Sequence, residues 1–313
     1  MVIQSTTVKR PGAGYRLSRA LTRYKYLYLL LIPGLVYLIV FCYLPMVGLV
    51  IAFQDYKPFL GVWKSKLIGL GNFAYLFRSD QFVSAVWNTF IISGYKIIFG
   101  FPVPIIFALL MNEVRSRMLK RSIQTVLYLP HFLSWVIMFG LLFNFLSEFG
   151  PLNQLIIKLG GKPIFFLSDT RYFRSVVVIS DIWKEVGWSA IIYLAALAGI
   201  SPELYEAATI DGASRFKCIL SISLPSILPT ITIMLLLRIG GILNAGFEQI
   251  MNLYNPTVFG VGDIIDTYVY RIGLLQTKFG YSAAAGMFKS VVALVLVLST
   301  NHFVNKTEQG GLF

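Results

Sequence analysis

Long apolar stretches, separated by short polar segments, follow one another along the whole chain. Six of them hold the roughly 20 predominantly apolar residues that a membrane-crossing helix needs. They lie near 27–53, 86–111, 123–147, 174–200, 225–247 and 281–304. A membrane barrel would instead show alternating segments of about ten residues. Since a backbone inside lipid must satisfy its own hydrogen bonds, the pattern predicts an all-α, polytopic membrane protein with six transmembrane helices.

The composition supports this class and excludes others. Apolar residues make up 57% of the 313 residues and charged residues 13%, against about 45–50% and about 25% in soluble globular proteins. A soluble or disordered chain is therefore excluded. The net charge of +13 would favour nucleic-acid binding in a soluble protein, but no aromatic-interleaved basic groove or zinc spacing accompanies it. We expect the lipid bilayer, and no nucleic acid, as the partner of these charges.

Basic residues predict the orientation and the domain limits. Six of them crowd the segment before the first stretch, namely Lys9, Arg10, Arg16, Arg19, Arg23 and Lys25. Because basic residues in short segments beside a membrane helix favour the cytoplasmic side, we expect a multi-pass protein of the cell (inner) membrane with both termini in the cytoplasm. The domain prediction comprises a basic N-terminal segment (1–26), a six-helix membrane domain (27–304) with cytoplasmic loop helices (201–223), and a cytoplasmic tail (305–313). The first stretch is too long for the core of a signal peptide and should remain in the protein.

Patterns of catalysis and metal binding are missing from the sequence. Two cysteines and two histidines are too few for a disulfide framework or a histidine-rich metal site. The nearest glycine-lysine run, at 160–163, lacks the spacing and the Ser or Thr of a phosphate-binding loop. We therefore expect a non-catalytic chain that binds no metal and no cofactor of its own.

One loop between the fourth and fifth stretches has strong helix signals. Ser201 can cap a helix, Pro202 suits its first turn, and Glu203 favours the positive end of the helix dipole. Gly212 can end the helix in a left-handed conformation. The loop is therefore predicted to hold a helix of about three turns, followed by a second helical stretch at 214–223.

The same loop carries a resemblance to a known family. Glu206-Ala207-Ala208, three residues, Gly212, nine residues and then Ile222-Ser223-Leu224-Pro225 fit the EAA signature of binding-protein-dependent ABC importer permeases. Gly69-Leu70-Gly71-Asn72-Phe73 and Tyr128-Leu129-Pro130 resemble segments of sugar-importer permeases, and among these the chain is most similar to the LplB-like branch.

This resemblance implies a type I (MetI-like) importer permease fold and a machine of several subunits. It implies a second homologous permease, two cytoplasmic ATPase subunits that bind ATP and Mg, an extracytoplasmic solute-binding protein, and an oligosaccharide substrate. ATP hydrolysis would then belong to other polypeptides. The loop helix would lie in a cleft of an ATPase subunit and move with it.

Eight residues of the loop are implied to couple permease and ATPase. They are Glu203, Tyr205, Glu206, Ala207, Ala208, Asp211, Gly212 and Arg215. The two alanines would let the helix approach its partner closely, and Glu206 offers a charge-assisted contact to the partner or to Arg215. The competing interpretation is a helix lying on lipid. It is disfavoured because three acidic side chains would face anionic headgroups.

Ionisable residues inside the apolar stretches suggest a substrate path, because charges within a membrane are costly. They are Lys96, Asp181, Lys184, Glu185, Arg238 and Lys289, with Glu248 near a stretch end. The candidate path residues are Trp183, Lys184, Trp188, Asn244, Glu248 and Lys289, since aromatic faces and polar side chains suit sugars.

Other interpretations of these residues remain open. Asp181 and Lys184 are three apart and could pair with each other, while the tryptophans could belong to an interfacial belt. Cations outnumber anions within the stretches, which suggests the hypothesis that the path accepts acidic, uronate-containing saccharides. The alternative function is a stand-alone ion-coupled secondary transporter. It would need an internal repeat or unwound helices around an ion site, and neither is visible.

Overall fold

Helices make up almost all of the fold. The computed structural model describes residues 23–305, with side chains up to His302, so most of the predicted N-terminal segment and C-terminal tail lie outside the described residues. The helices are α1 (Lys25–Tyr37), α2 (Gly61–Lys64), α3 (Gly71–Arg78), α4 (Asp80–Tyr95), α5 (Pro102–Glu113), α6 (Arg117–Tyr128), α7 (Trp135–Leu146), α8 (Pro151–Lys158), α9 (Phe173–Ala198), α10 (Pro202–Ile210), α11 (Arg215–Cys218), α12 (Leu224–Gly240), α13 (Phe247–Leu253), α14 (Phe259–Gly262), α15 (Ile265–Tyr270) and α16 (Phe279–Asn305).

Short irregular pieces continue or join these helices. π-helical turns lie at Leu38–Tyr43, Lys96–Gly100, Ile219–Ser223 and Arg271–Leu275, and 3-10 segments at Leu44–Phe53, Leu129–Phe132 and Pro256–Val258. Two short strands, β1 (Gln54–Asp55) and β2 (Lys66–Leu67), pair antiparallel after the first span.

Five helical units of the described chain are long and apolar enough to cross a membrane by themselves, and a sixth qualifies as a bent pair of helices. The five are Lys25–Phe53, Asp80–Glu113, Trp135–Lys158, Arg215–Gly240 and Phe279–His302. The sixth candidate is the pair of α9 and α10, which meet at a bend of 71° and pass together. Helix α9 forms the longer part of this pair. Its 26 residues extend about 39 Å at ~1.5 Å per residue, enough to cross by itself. The prediction of an all-α protein with six membrane helices agrees with this arrangement.

The third predicted stretch, 123–147, is not a single helix. Helix α6 ends before a 3-10 turn that contains Pro130, and α7 begins only at Trp135. The side chain of Ser134 caps α7 by accepting a hydrogen bond from the Ile137 N–H. Proline cannot donate a backbone hydrogen bond, so the helix is interrupted at Pro130. The hydropathy pattern alone does not show this break.

The fifth predicted stretch, 225–247, is also too long. Helix α12 ends at Gly240, and a non-helical segment leads to Gly246 before α13 begins. Apolar residues continue through this segment, among them Leu243, which is buried. The apolar pattern therefore extends past the end of α12, so it does not predict where this helix ends.

Apolar side chains pack the spans around α9. One cluster joins α9 to α5 and α12 through Ile105, Ala108, Ala190, Tyr193, Leu197 and Ile227. Another joins the segments near the first, second and last spans through Ala52, Leu76, Phe82, Ala85, Tyr268, Ile272, Ala284 and Ala285. Helix α1 has no buried residue, and the first span packs on α16 through its second half, Leu44–Phe53.

Helices α9 and α6 approach closely at Gly187. A Cβ atom added there would lie 2.2 Å from the carbonyl oxygen of Leu127. We expect Gly187→Ala to push the two helices apart and to lower the stability of the purified protein by about 1–3 kcal/mol, the usual cost of overpacking. Thermal unfolding in detergent measures it. Gly94→Ala in α4, where a Cβ has no neighbour within 4 Å, is the control. Equal unfolding temperatures for the two variants would contradict the prediction.

Candidate functional site

The loop between α9 and α12 contains the helix that the sequence predicts, α10. Ser201 occupies the N-cap with extended backbone, although its side chain makes no capping hydrogen bond, and Pro202 and Glu203 lie in the first turn. Proline at this position loses no hydrogen bond, and an acidic side chain complements the positive end of the helix dipole. The local sequence therefore starts the helix at a defined place.

A Schellman motif ends α10. Asp211 is the C-cap, and Gly212 follows with φ +75°. The Gly212 N–H donates to the Thr209 carbonyl at 3.1 Å. The Ala213 N–H donates to the Ala208 carbonyl at 2.9 Å, and these two bonds define the motif. Gly212 thus has the left-handed conformation that the sequence predicts, and it turns the chain toward α11.

Two side-chain contacts tie α10 and α11 to the membrane helices. The Tyr205 hydroxyl lies 2.9 Å from Oγ of Ser223, which is buried just before α12. Arg215 Nη1 lies 3.8 Å from Glu113 Oε2 at the end of α5. Arg215 therefore pairs with Glu113, and the alternative in which Glu206 pairs with Arg215 is wrong. The true partner lies on a different helix, so the loop sequence could not reveal it.

The remaining surface of α10 is open. Glu206 and Ala207 are exposed, and Ala208 is half-buried. Sequence analysis missed two apolar side chains on this loop, Ile210 and Phe216, which are 87% and 70% exposed. Exposed apolar groups on an otherwise polar loop are typical of a protein contact surface. Their signal in the sequence is weak because apolar residues flank the loop on both sides.

A buried polar cluster inside the bundle joins the span that contains Lys96 to α9 and to the segment around α13. Lys96 Nζ donates to Asp181 Oδ1 at 2.8 Å and to the Ala245 carbonyl at 2.9 Å. It also donates to Gln249 Oε1 at 2.5 Å, and Gln249 Nε2 donates to the Val177 carbonyl at 2.7 Å. An ammonium group has three donors, and here each has an acceptor. Pairing and hydrogen bonding therefore offset the cost of burying this charge.

Asp181 is shared between two cations. Its Oδ1 accepts from Lys96, and its Oδ2 lies 3.3 Å from Nη2 of Arg238. The alternative of a pair between Asp181 and Lys184 is wrong, because the carboxylate faces other spans rather than the next turn of α9. The two cations differ in access, since the Lys96 side chain is 5% exposed and that of Arg238 is 46% exposed.

Lys184 fills the break between α6 and α7. Its Nζ donates to the carbonyls of Pro130, His131 and Leu133 at 3.1, 2.6 and 2.7 Å. Carbonyls at an interrupted helix lack their usual partners, and the ammonium group supplies them. Lys184 is buried, and its donors are committed to the backbone. The structure therefore places Lys184 in the protein interior, with its ammonium group bonded to backbone carbonyls.

The two tryptophans of α9 have different surroundings. Trp188 stacks on His131 with ring centroids 4.4 Å apart, and Nδ1 of His131 lies 2.9 Å from Oε2 of Glu185. Trp183 instead borders an apolar cavity of about 530 Å³ between α7, α8 and α9. Positions five apart lie on different faces of a helix, so of these two residues Trp188 is the one beside ionisable groups.

The other predicted path residues lie beyond α12. Lys289 of α16 donates to Asp266 Oδ1 at 2.7 Å and to Asn244 Oδ1 at 3.0 Å. Asn244 lies in the non-helical segment after α12, whereas Glu248 lies in the first turn of α13. Although Asn244 and Glu248 are four residues apart, they do not share a helix face, because the chain leaves the helix between α12 and α13.

Two cavities flank Arg238. One, of about 110 Å³, has two carboxylates in its wall, those of Asp181 and Glu185. The other, of about 240 Å³, is bordered by Ser93, Lys96, Ile97, Leu237, Arg238, Gly241, Ile242 and Asn244. Sequence analysis named Lys96 and Arg238 as charges inside spans. It could not bring them together, because helical periodicity relates residues of one helix and these lie on different spans.

A bundle of membrane-crossing helices with ion-paired side chains inside it, and an exposed helix tied to one end, is the architecture of a membrane transport protein. Residues 100–309 match the family described as the binding-protein-dependent transport system inner membrane component, and the chain belongs to this family.

Two proteins of Bacillus subtilis are similar to this chain over nearly their whole length. The chain is 48% identical to Protein LplB of Bacillus subtilis (strain 168) over 303 residues, which cover 96% of this chain and 95% of that protein. It is 45% identical to the polygalacturonan/rhamnogalacturonan transport system permease protein YteP of the same organism over 299 residues, or 95% and 93% of the two chains.

Solved structures are similar as well. A chain of a bacterial ABC transporter involved in the import of the acidic polysaccharide alginate matches with a TM-score of 0.87 and 42% identity, covering 94% of this chain and 99% of that one. A chain of the bacterial alginate ABC transporter in complex with an alginate pentasaccharide-bound periplasmic protein matches with a TM-score of 0.88 and 42% identity, covering 95% and 100%. The predicted family and fold class are confirmed, and the chain is an ABC importer permease with several membrane-crossing helices.

Proposed function

We propose that this chain is the permease subunit of an importer that takes up acidic oligosaccharides and is driven through α10. The observation that carries the proposal is α10 itself, an exposed helix with defined ends that Tyr205 ties to the start of a membrane span. The substrate class is supported by relatives, since YteP is named for polygalacturonan and rhamnogalacturonan and the similar structures belong to an alginate importer.

The proposed importer needs further subunits. A second homologous permease would complete the path, and two cytoplasmic ATPase subunits would bind ATP and Mg and hydrolyse the ATP. An extracytoplasmic solute-binding protein would deliver the sugar, and the similar alginate transporter is known in complex with such a periplasmic protein. The membrane is the cell membrane. The end of the bundle with α10 and both chain termini would face the cytoplasm.

Five of the eight loop residues have a defined role in this proposal. Glu206, Ala207 and the apolar side chains of Ile210 and Phe216 would contact the ATPase. Gly212 fixes the turn after α10. When ATP binding closes the ATPase dimer, a displacement of α10 would reach α12 through Tyr205 and α5 through the Arg215–Glu113 pair. The nucleotide would then shift the population between outward-facing and inward-facing states.

The proposed path runs along the polar residues inside the bundle. Trp188 stacks on His131, and Asn244 borders the cavity of about 240 Å³; an aromatic face and an amide both suit a sugar. Lys289 and Glu248 lie beyond the end of α12. The proposed path leaves out Lys184, because its ammonium group donates to three backbone carbonyls. Trp183 borders an apolar cavity and contributes least to a path for saccharides.

Co-purification tests the coupling role of α10. We expect Glu206→Ala to lower the amount of ATPase subunit that co-purifies with the permease by about tenfold, the scale of a lost hydrogen bond to a charged group. Glu148→Ala removes an exposed carboxylate outside α10 and α11 and should change nothing. The proposal fails if the Glu206 variant retains its ATPase and transports at the wild-type rate.

A further inference from the structure

Arg238 has donors for which the described part of the chain shows no acceptor. A guanidinium group has five N–H donors. Within residues 23–305, Arg238 makes one ion pair, a hydrogen bond of 3.3 Å from Nη2 to Asp181. Its side chain is 46% exposed. The guanidinium group is therefore available to a further acceptor.

The exposed side of Arg238 is expected to face protein or water rather than hydrocarbon. Arg238 lies in the span Arg215–Gly240, and a charged side chain at membrane depth faces a protein interior or a water-filled cavity because exposure to hydrocarbon is costly. The guanidinium group therefore opens toward the interior of the assembled importer. This is the surface along which a polar substrate would travel.

The two cavities beside Arg238 differ in charge. The smaller one has Asp181 and Glu185 in its wall, and these carboxylates would repel an anion. The larger one, of about 240 Å³, has Lys96 and Arg238 in its wall and no acidic residue. An anionic group is therefore favoured in the larger cavity.

A second observation in the larger cavity points to a polar ligand. Ser93 borders it and is 4% exposed, and its Oγ has no hydrogen-bond partner among the described residues. A buried hydroxyl without a partner is costly, and a bound group that completes its hydrogen bonds removes that cost. Asn244 also borders the cavity. Hydroxyl and amide groups beside a cation suit a sugar ring that carries a carboxylate.

Lys96 allows Arg238 to change partner. If Arg238 were the sole cation beside Asp181, its departure would leave a carboxylate buried and unpaired, which is strongly destabilising. Lys96 also pairs with Asp181, at 2.8 Å, and stays buried. Arg238 can therefore turn to another carboxylate while Asp181 keeps a counter-ion.

We propose that the cavity of about 240 Å³ beside Arg238 is a subsite for one uronate residue of the substrate, with Arg238 binding the carboxylate and Ser93 and Asn244 facing its hydroxyl groups. This inference rests on the proposed function and adds the group that recognises the charge. Arg238 binds a carboxylate in the bidentate geometry of the guanidinium group. Asp181 competes for it, so each uronate is held briefly and released along the path.

Uptake of a matched pair of oligosaccharides tests the subsite. The probes are a trigalacturonate and its fully methyl-esterified form, presented to proteoliposomes that contain the complete importer and its binding protein. We expect Arg238→Gln to lower uptake of the acidic trimer by about tenfold or more, the scale of a hydrogen bond between charged groups. Uptake of the methyl-esterified trimer by the Arg238→Gln importer should stay much closer to the wild-type uptake. Arg238→Lys, which keeps the charge, should recover part of the acidic uptake.

Controls separate this inference from the proposed function. Lys278→Gln removes an exposed positive charge outside the spans and should leave both uptakes unchanged. Unchanged acidic uptake in Arg238→Gln, or an equal loss for both trimers, overturns the subsite. Loss of the second permease from the Arg238→Gln complex also overturns it, because Arg238 would then pair between subunits. If the wild-type importer carries neither trimer, the proposed function itself fails.

Discussion

Replacement of Lys96 by methionine is expected to destabilise the membrane bundle by about 3–5 kcal/mol, the usual cost of removing one partner of a buried ion pair. The variant loses the bonds to Asp181, the Ala245 carbonyl and Gln249. Arg238 remains 3.3 Å from Asp181 and limits the loss. Thermal unfolding of the purified complex in detergent measures the effect.

Two controls sharpen this prediction. The double variant Lys96→Met/Asp181→Asn removes the stranded charge and should recover part of the lost stability. Lys278→Met changes an exposed lysine and should unfold at the wild-type temperature. Lys96→Met should also reduce acidic uptake through the subsite, because Arg238 then becomes the remaining cation beside Asp181. A Lys96→Met complex as stable as wild type would show that the pair does not hold the spans together.

Replacement of Gly212 by valine is expected to uncouple the permease from its ATPase. Gly212 has φ +75°, a conformation that costs an ordinary residue about 1–2 kcal/mol and a β-branched residue more. A cost of this size changes the population of the capped helix by about 5–30-fold. Transport and co-purified ATPase should fall together, while membrane insertion stays normal.

The matched control is Gly160→Val. Gly160 has φ +83°, and nothing lies within 4 Å of an added Cβ there or at Gly212. Both variants therefore introduce backbone strain without a steric clash, but only one of them lies beside α10. If the two variants lose transport to the same extent, the loss reflects strain in general, and the coupling role of Gly212 is refuted.

The sequence predicts well what depends on neighbouring residues. Apolar stretches of sufficient length give the membrane helices, and Ser201, Pro202 and Gly212 give the limits of α10. These signals are local, because a cap, a proline or a glycine acts on the turn in which it lies.

The sequence predicts poorly what depends on contacts between spans. The partners of Asp181 are 85 and 57 residues away along the chain, so spacing within α9 suggested Lys184 instead. Gln249 and Ser93 escaped notice because uncharged polar residues stand out less in an apolar stretch than ionisable ones. The break after Gly240 was missed because apolar residues continue through it.

The bonding of Lys184 affects how the helices can move relative to one another. One ammonium group of α9 holds the backbone of Pro130, His131 and Leu133 at the joint between α6 and α7. These three hydrogen bonds restrict rotation of α6 relative to α7, although the segment between the two helices is not an α-helix. A shift of α9 therefore also moves the segment between α6 and α7. These elements are expected to move together as one rigid unit.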